Sequence, residues 1–303
     1  MAWRVVSIEG KSSLSLNKNR IKINQEAGEF LLPLEDVDSI VLAGGSRVTT
    51  NLLTEFSRKN ILAILLDNAF LPCGFLAPLS QHSRAAKTSR SQIAMSEPLR
   101  KKIWQRIIFT KITNQADVVK FYGFDDKKIR ENLAKIRSGD STNRESVAAR
   151  EYFRILLDDT TRRKPLWYNS ALNYGYAIVR SRIAQALAAR GFILSQGVFH
   201  RSELNSYNLA DDIIESFRPA VDYFILLELA QFHVNMNDAT LSTNERHKII
   251  DILNEKVRIK RKSFAIKNAI DLTVDGLLKS ILENDVKFLE FPEIIKRSRE
   301  RNV

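Results

Sequence analysis

Residues 76–94, LAPLSQHSRAAKTSRSQIA, separate two kinds of sequence. Upstream, apolar residues alternate with polar ones or gather in short runs; downstream they return at helical spacing. The segment itself is small, polar and basic, as suits a linker or the first helix of a domain. A boundary near Gln81 gives residues 1–80 as a β-rich N-terminal domain and 81–303 as a larger, nearly all-helical one. The expected class is α+β.

Working back from that boundary, WRVVSIEG (3–10), SSLSLNKNRIKIN (12–24), GEFLLPL (28–34) and DSIVLAG (38–44) read as strands separated by Asn, Gly and Asp turn signals. TTNLLTEFSRKN (49–60) reads as one helix capped by Thr49 or Thr50, and ILAILLD (61–67) as a buried strand. Working forward, EPLRKKIWQRIIFTKITNQADVVKFYG (97–123) spaces Ile103, Ile107, Ile112 and Val118 along one helix face. Long helices are expected at 166–191, ended by Gly191, and at 208–233, kinked near Pro219.

The formal net charge is +12. Residues 1–80 hold 8 basic and 8 acidic side chains, so the whole surplus falls in residues 81–303. Such one-sided charge suits a polyanion, since phosphate neutralisation with counterion release drives most non-specific nucleic-acid binding; a basic surface kept for solubility is the plainer alternative. The balanced N-terminal domain is expected to scaffold or dimerise. Cys73 is the only cysteine, which leaves no intramolecular disulfide and no cysteine-rich zinc site. Apolar stretches such as YFILLELAQF are too short and interrupted to span a bilayer, and the N-terminus lacks signal-peptide character. A cytoplasmic protein with no membrane partner is expected.

Three helical-domain segments concentrate ionisable groups. In SGDSTNRESVAAREYFRILL (138–157), Ser141 or Thr142 can cap a helix with Glu145 in its first turn and Val147, Ala148, Tyr152 and Leu156 available to the core. In ILSQGVFHRSELNSYN (193–208), His200 lies in a loop; His82, His233 and His247 have no comparable neighbourhood. In NLADDIIESFRP (208–219), Asp211 and Glu215 at i,i+4 share a helix face, with Asp212 adjacent. Each has a bland reading: a surface acid at a helix N-terminus, a hydrogen-bonding histidine, an acidic turn neutralised by Arg218. Together, two carboxylates and an imidazole would suit Mg²⁺ or Mn²⁺ better than zinc.

The strings NRESVAAREYF (143–153), NSALNYGYAIVRSRIAQALAARGF (169–192), GVFHRSELNSYNLADDIIESFRPAVDYF (197–224) and SFAIKNAIDLTVDGLLKSIL (263–282), with KITNQA (111–116) and QHSR (81–84), resemble in order and spacing the CRISPR spacer-acquisition integrases, the Cas1 family. The resemblance covers most of the chain, and its QHSR and ELNS details are most similar to members from type II systems. It implies that Glu145, His200 and Glu215 are catalytic metal ligands, with Asp211 and Asp212 in support. Glu215 follows His200 at the family's interval; Ser216, where proline is common, departs from the pattern without touching the ligands.

The resemblance also implies a homodimer that joins a small dimeric Cas2-type partner in a heterohexameric complex and binds double-stranded spacer precursors. Each precursor 3′-hydroxyl then attacks a phosphodiester at the repeat array by metal-dependent transesterification, with no covalent protein intermediate. Water in place of that hydroxyl gives endonuclease activity. Arg84, Lys87, Arg144, Arg150, Arg180, Arg201 and the stretch Lys256, Arg258, Lys260, Arg261 and Lys262 are the candidate DNA contacts, each of which could equally be an ordinary solvated cation. Two other functions remain open: a non-catalytic DNA-binding scaffold of an adaptation complex, and a phosphodiesterase that hydrolyses branched DNA without joining it.

Overall fold

The computed structural model describes residues 4–76, 84–157, 164–230 and 238–296, so the Gln81 boundary, His82 and His233 lie outside the described residues. Eight strands and one helix make up the N-terminal region: β1 (Arg4–Ile8), β2 (Ser12–Asn17), β3 (Arg20–Gln25), β4 (Gly28–Pro33), β5 (Val37–Leu42), β6 (Ser46–Val48), α1 (Thr50–Arg58), β7 (Leu62–Leu66) and β8 (Pro72–Leu76). The stretch 12–24 folds into a hairpin at Lys18, whose φ of 55° sets Asn17 opposite Arg20. The sequence reading overlooked β6, which is three residues long, and β8. The latter opens on Pro72 and contains Gly74, both tolerated because β8 is an edge strand.

Two sheets form, in orders β1-β5-β7-β8 and β4-β3-β2-β6. In the first, β1, β5 and β7 run parallel. Its two faces go to different cores, because successive side chains of a strand point to opposite sides. Ile40, Leu42 and Ala63 pack with Leu14, Ile21, Leu52 and Phe56 in the N-terminal core. Val41, Leu62, Ile64 and Leu66 instead join the core of the helical region. Continuous runs such as ILAILL are therefore what a strand buried on both faces requires. A buried ion pair adds to this junction, with Arg246 donating to both carboxylate oxygens of Glu9 at 3.1 and 2.6 Å.

The helical region contains α2 (Ala85–Ile93), α3 (Glu97–Phe121), α4 (Lys127–Arg130), α5 (Arg144–Leu156), α6 (Trp167–Ala189), α7 (Asn208–Ile214), α8 (Arg218–Tyr223), α9 (Thr243–Ile250) and α10 (Ile266–Leu282). Ser96 caps α3 by accepting the Leu99 N–H, and Ile103, Ile107, Ile112 and Val118 are fully buried as their spacing predicts. Burying each such side chain contributes roughly 1.5–3 kcal/mol. Gly191, at φ 80°, ends the turn after α6, and a Cβ there would lie 2.4 Å from Ala85 Cα.

Two expectations change. The single helix expected over 208–233 is interrupted at residues 215–217: Pro219 lies in the first turn of α8, where its missing N–H has no helical partner to lose, and α8 continues into a π turn at Phe224–Leu229. The helical region also contains a small sheet, β9 (Lys256–Ile259), β10 (Lys262–Ala265) and β11 (Glu293–Ile294), in order β10-β9-β11. The basic stretch 256–262 is its hairpin, turned through positive φ at Lys260 and Arg261. Among the described residues no helix is long and apolar enough to cross a membrane.

Candidate catalytic site

Glu145 is positioned by Asp140 rather than by the hydroxyl cap expected from Ser141 or Thr142. The Asp140 carboxylate accepts the N–H of Arg144 at 2.8 Å and of Glu145 at 3.0 Å, satisfying two of the unpaired donors of the first turn of α5. Asn143 precedes the helix in a left-handed conformation. Ala148 and Tyr152 face the core, Leu156 is half-buried, and Val147, expected inside, is exposed.

Glu215, at the end of α7, is buried, and its two oxygens have different partners. One accepts from Arg218 Nε at 2.8 Å; the other meets Lys111 Nζ. The same ammonium lies 2.5 Å from Glu145 Oε1. Lys111 projects from α3 and is 6% exposed, so two carboxylates from separate elements converge on one buried positive group. Burial disfavours the charged lysine, but Glu215 and Glu145 outweigh that and raise its pKa above the ordinary value. Burial would likewise raise the Glu215 pKa, yet Lys111 and Arg218 hold it below the usual carboxylate range. Arg218 also stacks over the Tyr176 ring at 4.5 Å, and Tyr176 and Tyr152 both donate to the buried Asp222 carboxylate. Three helices, α5, α6 and α8, are thereby tied together behind Glu215.

His200 is held from behind. Asp212, fully buried, accepts the backbone N–H of Val198, Phe199 and His200 at 2.5, 3.0 and 3.0 Å, and its Oδ1 lies 2.7 Å from His200 Nδ1. Gly197 makes this loop possible, since a Cβ there would stand 2.3 Å from the His200 carbonyl oxygen and 2.8 Å from Asp212 Oδ2. The ring meets the buried Trp104 edge-on at 5.7 Å. The hydrogen bond to Asp212 raises the His200 pKa despite partial burial, with Glu215 contributing through its charge. Beside the ring opens a polar cavity of about 620 Å³ lined by Arg100, His200, Arg201, Asn205 and Asn208 among others. The imidazole thus feels Glu215 electrostatically, while among the described residues no three His, Cys, Asp or Glu side chains are grouped closely enough to hold a metal ion.

Residues 6–255 match the family model described as CRISPR associated protein Cas1. A CRISPR-associated endonuclease Cas1 of Neisseria meningitidis serogroup C (strain 8013) is 36% identical over 299 residues, spanning 97% of each chain. This chain belongs to the Cas1 family. Its fold is that of a casposase bound to integration product (TM-score 0.80, 18% identity, 99% of this chain and 96% of that one). It also matches part of a chain in a Cas6-RT-Cas1–Cas2 complex (TM-score 0.70, 18% identity, 98% of this chain and 36% of that one).

Within this Cas1 framework the remaining candidates separate. Asp211 points away from the carboxylate pair into a bidentate contact with Arg180 (2.5 and 3.0 Å) and a hydrogen bond from Asn205. Arg180 also covers Tyr207, so both residues brace α6 against the His200 loop. Lys87, Arg150, Arg201, Lys256, Arg261 and Lys262 are exposed, as is Arg84, whereas Arg144 is half-buried beside Thr142. Arg258 and Lys260 are exposed but engaged with Glu293 and Glu290. The residues that sequence reasoning missed are Lys111, Asp140, Trp104 and the Tyr152–Tyr176–Asp222 cluster. Lys111 opens the KITNQA string, and Asn114 and Gln115 one turn later are buried as well; three polar residues in the stretch between Ile107 and Val118, whose apolar neighbours are buried, were the available signal.

Proposed function

We propose that the protein is a CRISPR adaptation integrase that joins the 3′-hydroxyl of a spacer precursor to a phosphodiester of the repeat array, and cleaves DNA when water replaces that hydroxyl. The observation that carries this reading is the convergence of Glu145 and Glu215 on a single cationic group, with the braced His200 imidazole and an open polar cavity alongside. Family membership supports it, as does a fold shared with a casposase whose structure contains an integration product.

The donor chemistry fits a hard divalent ion: two carboxylate oxygens that already share one positive partner suit Mg²⁺ or Mn²⁺, and an imidazole nearby favours Mn²⁺. Glu145, His200 and Glu215 would hold it, with DNA oxygens and water completing a set that the described protein groups alone do not fill. When bound, such an ion polarises the scissile phosphate and lowers the pKa of the attacking hydroxyl. The chain's own part is positional. Asp212 engages His200 Nδ1 and leaves Nε2 as the ring's available nitrogen. Arg218 fixes one oxygen of Glu215, and Asp140 fixes the turn that presents Glu145. In strand transfer a new P–O bond forms to the precursor 3′-oxygen as the bond to the array 3′-oxygen breaks; the attacking hydroxyl gives up a proton and the leaving oxygen takes one up, so that the array strand ends in a free 3′-hydroxyl.

DNA is the expected ligand on charge grounds, and a Cas2-type dimer the expected protein partner, in line with the Cas1–Cas2 assembly that contains the neighbouring fold. The edge strand β4 supports homodimer formation, since it carries Phe30 and Leu31 exposed beside an unpaired backbone edge. Action on a chromosomal array would put the protein in the cytoplasm. The deciding experiment incubates a labelled 3′-hydroxyl duplex with a repeat-containing plasmid, partner protein and Mn²⁺ or Mg²⁺. Joined product that disappears in Glu145→Gln, His200→Ala and Glu215→Gln, each still folded, supports the reading. Binding without product indicates a scaffold, and cleavage without joining a phosphodiesterase.

A further inference from the structure

Lys111 is a buried charge to which strand transfer by the carboxylates and the imidazole assigns no part. Its ammonium touches Glu145 and Glu215 at once, and Arg218 takes the remaining oxygen of Glu215. Counting formal charges, two carboxylates face two cations, so the group is neutral before any ion arrives. A divalent cation entering this arrangement meets no net attraction and must displace or crowd an ammonium already seated between its ligands. Removing Lys111 from the pair leaves a surplus negative charge and two free oxygens. The displaced ammonium needs an anionic partner, because an unpaired buried charge is costly. Within reach of a catalytic carboxylate pair, the incoming anion is the phosphate of the DNA itself.

We propose that Lys111 is the resident cation of the catalytic carboxylates and yields its place to the divalent ion only when a DNA phosphate arrives to receive its ammonium. Metal and DNA then bind with positive coupling, each tightening the other by the same factor, while the DNA-free protein holds metal weakly. The inference rests on the integrase reading for the identity of the ligands. It adds a positioning residue and a binding order: the hydrolytic capacity of the site stays switched off away from substrate.

The test titrates Mn²⁺ into the full-length chain and follows free ion by electron paramagnetic resonance, with and without a 3′-hydroxyl duplex. Glu145→Gln/Glu215→Gln protein supplies the background of surface sites. The wild type is expected to bind Mn²⁺ on the order of tenfold to a hundredfold more tightly with DNA than without, the usual range of coupling between two ligands. Lys111→Met is expected to bind Mn²⁺ at least tenfold more tightly than wild type in the absence of DNA, and to gain little from DNA. Lys111→Arg keeps the charge and should keep the weak DNA-free binding, which separates charge from packing.

Equal Mn²⁺ affinity of wild type with and without DNA would overturn the proposal and needs no variant. So would a folded Lys111→Met protein, checked by near-ultraviolet circular dichroism, that binds no more tightly than wild type. If wild type shows no Mn²⁺ binding above background even with DNA, the metal-dependent reading of the site falls and this inference falls with it. Failure of Lys111→Met alone leaves that reading standing.

Discussion

Asp212 grips His200 twice, through the ring Nδ1 at 2.7 Å and through the backbone N–H at 3.0 Å, while also accepting from Val198 and Phe199. A buried carboxylate that accepts four donors cannot be replaced by an amide, which offers one acceptor oxygen and adds donors of its own. Asp212→Asn is therefore expected to cost about 2–4 kcal/mol of stability. If His200 holds the proposed ion, strand joining should fall roughly 10–100-fold where the protein still folds, the usual effect of losing the group that orients a metal-binding histidine. Thermal melts and joining assays check this; a twofold effect on both would contradict it.

His200 also makes the protein pH-sensitive. Its folded pKa is raised, chiefly by the Asp212 hydrogen bond, so the protonated ring contributes stability fully below the unfolded value near 6.5 and loses it as pH rises through the folded value. The melting-temperature gap between wild type and His200→Ala, measured in a chelator, should be wider at pH 6 than at pH 9. A gap independent of pH would show that the imidazole is held by shape alone.

The loop that carries His200 depends on Gly197. An alanine Cβ would stand 2.3 Å from the His200 carbonyl, an approach that backbone atoms do not tolerate, so the loop must move. Gly197→Ala is expected to lose at least tenfold in joining rate through misplacement of the imidazole. Restored activity together with an unmoved loop in a crystal structure of the variant would refute this.

Glu9 and Arg246 fasten the N-terminal sheet to α9 while almost fully buried. Arg246→Met leaves Glu9 charged and nearly unpaired, at an expected cost of about 3–5 kcal/mol. The Glu9→Gln/Arg246→Met double variant should be less destabilised than the sum of the single changes. A double-mutant cycle by urea denaturation measures the coupling, and strict additivity would mean that the pair contributes nothing.

Exposed and engaged cations should behave differently toward DNA. Arg261→Ala and Lys262→Ala are expected to weaken duplex binding across sequences and to lower the salt dependence by about 0.9 for each phosphate no longer neutralised. Arg180→Ala should chiefly destabilise, because Arg180 is already committed to Asp211, Asn205 and Tyr207. An unchanged salt slope for all three would move the DNA path elsewhere.

Much of the fold was legible because burial leaves a periodic trace. Ile103, Ile107, Ile112 and Val118 marked α3, and the uninterrupted run 61–66 marked a strand that feeds both cores, with Leu65 alone exposed. Where the determinant is a single backbone angle or a distant partner, the trace vanishes. Lys18 and Lys260 turn hairpins that read as continuous basic or strand-like sequence, and Asp140 replaces Ser141 and Thr142 as the cap because of how the preceding loop folds. Glu145, His200 and Glu215 were singled out through family resemblance, whereas their separate environments were not foreseen: the i,i+4 spacing of Asp211 and Glu215 suggested one acidic face, yet the two carboxylates are claimed by different arginines. Lys111 was hidden because a lysine on a long helix ordinarily reads as solvated.

The buried amide of Asn114 donates to the carbonyl of Pro292, 178 positions later, and Arg106 of the same helix donates to the carbonyl of Leu289. Synthesis on the ribosome must therefore run past residue 292 before the helix that holds Lys111 has all its partners. A nascent chain is expected to carry most of its secondary structure long before it can gain catalytic competence, and truncation ahead of Leu289, which removes both carbonyls, should leave an idle intermediate that retains most of its helices.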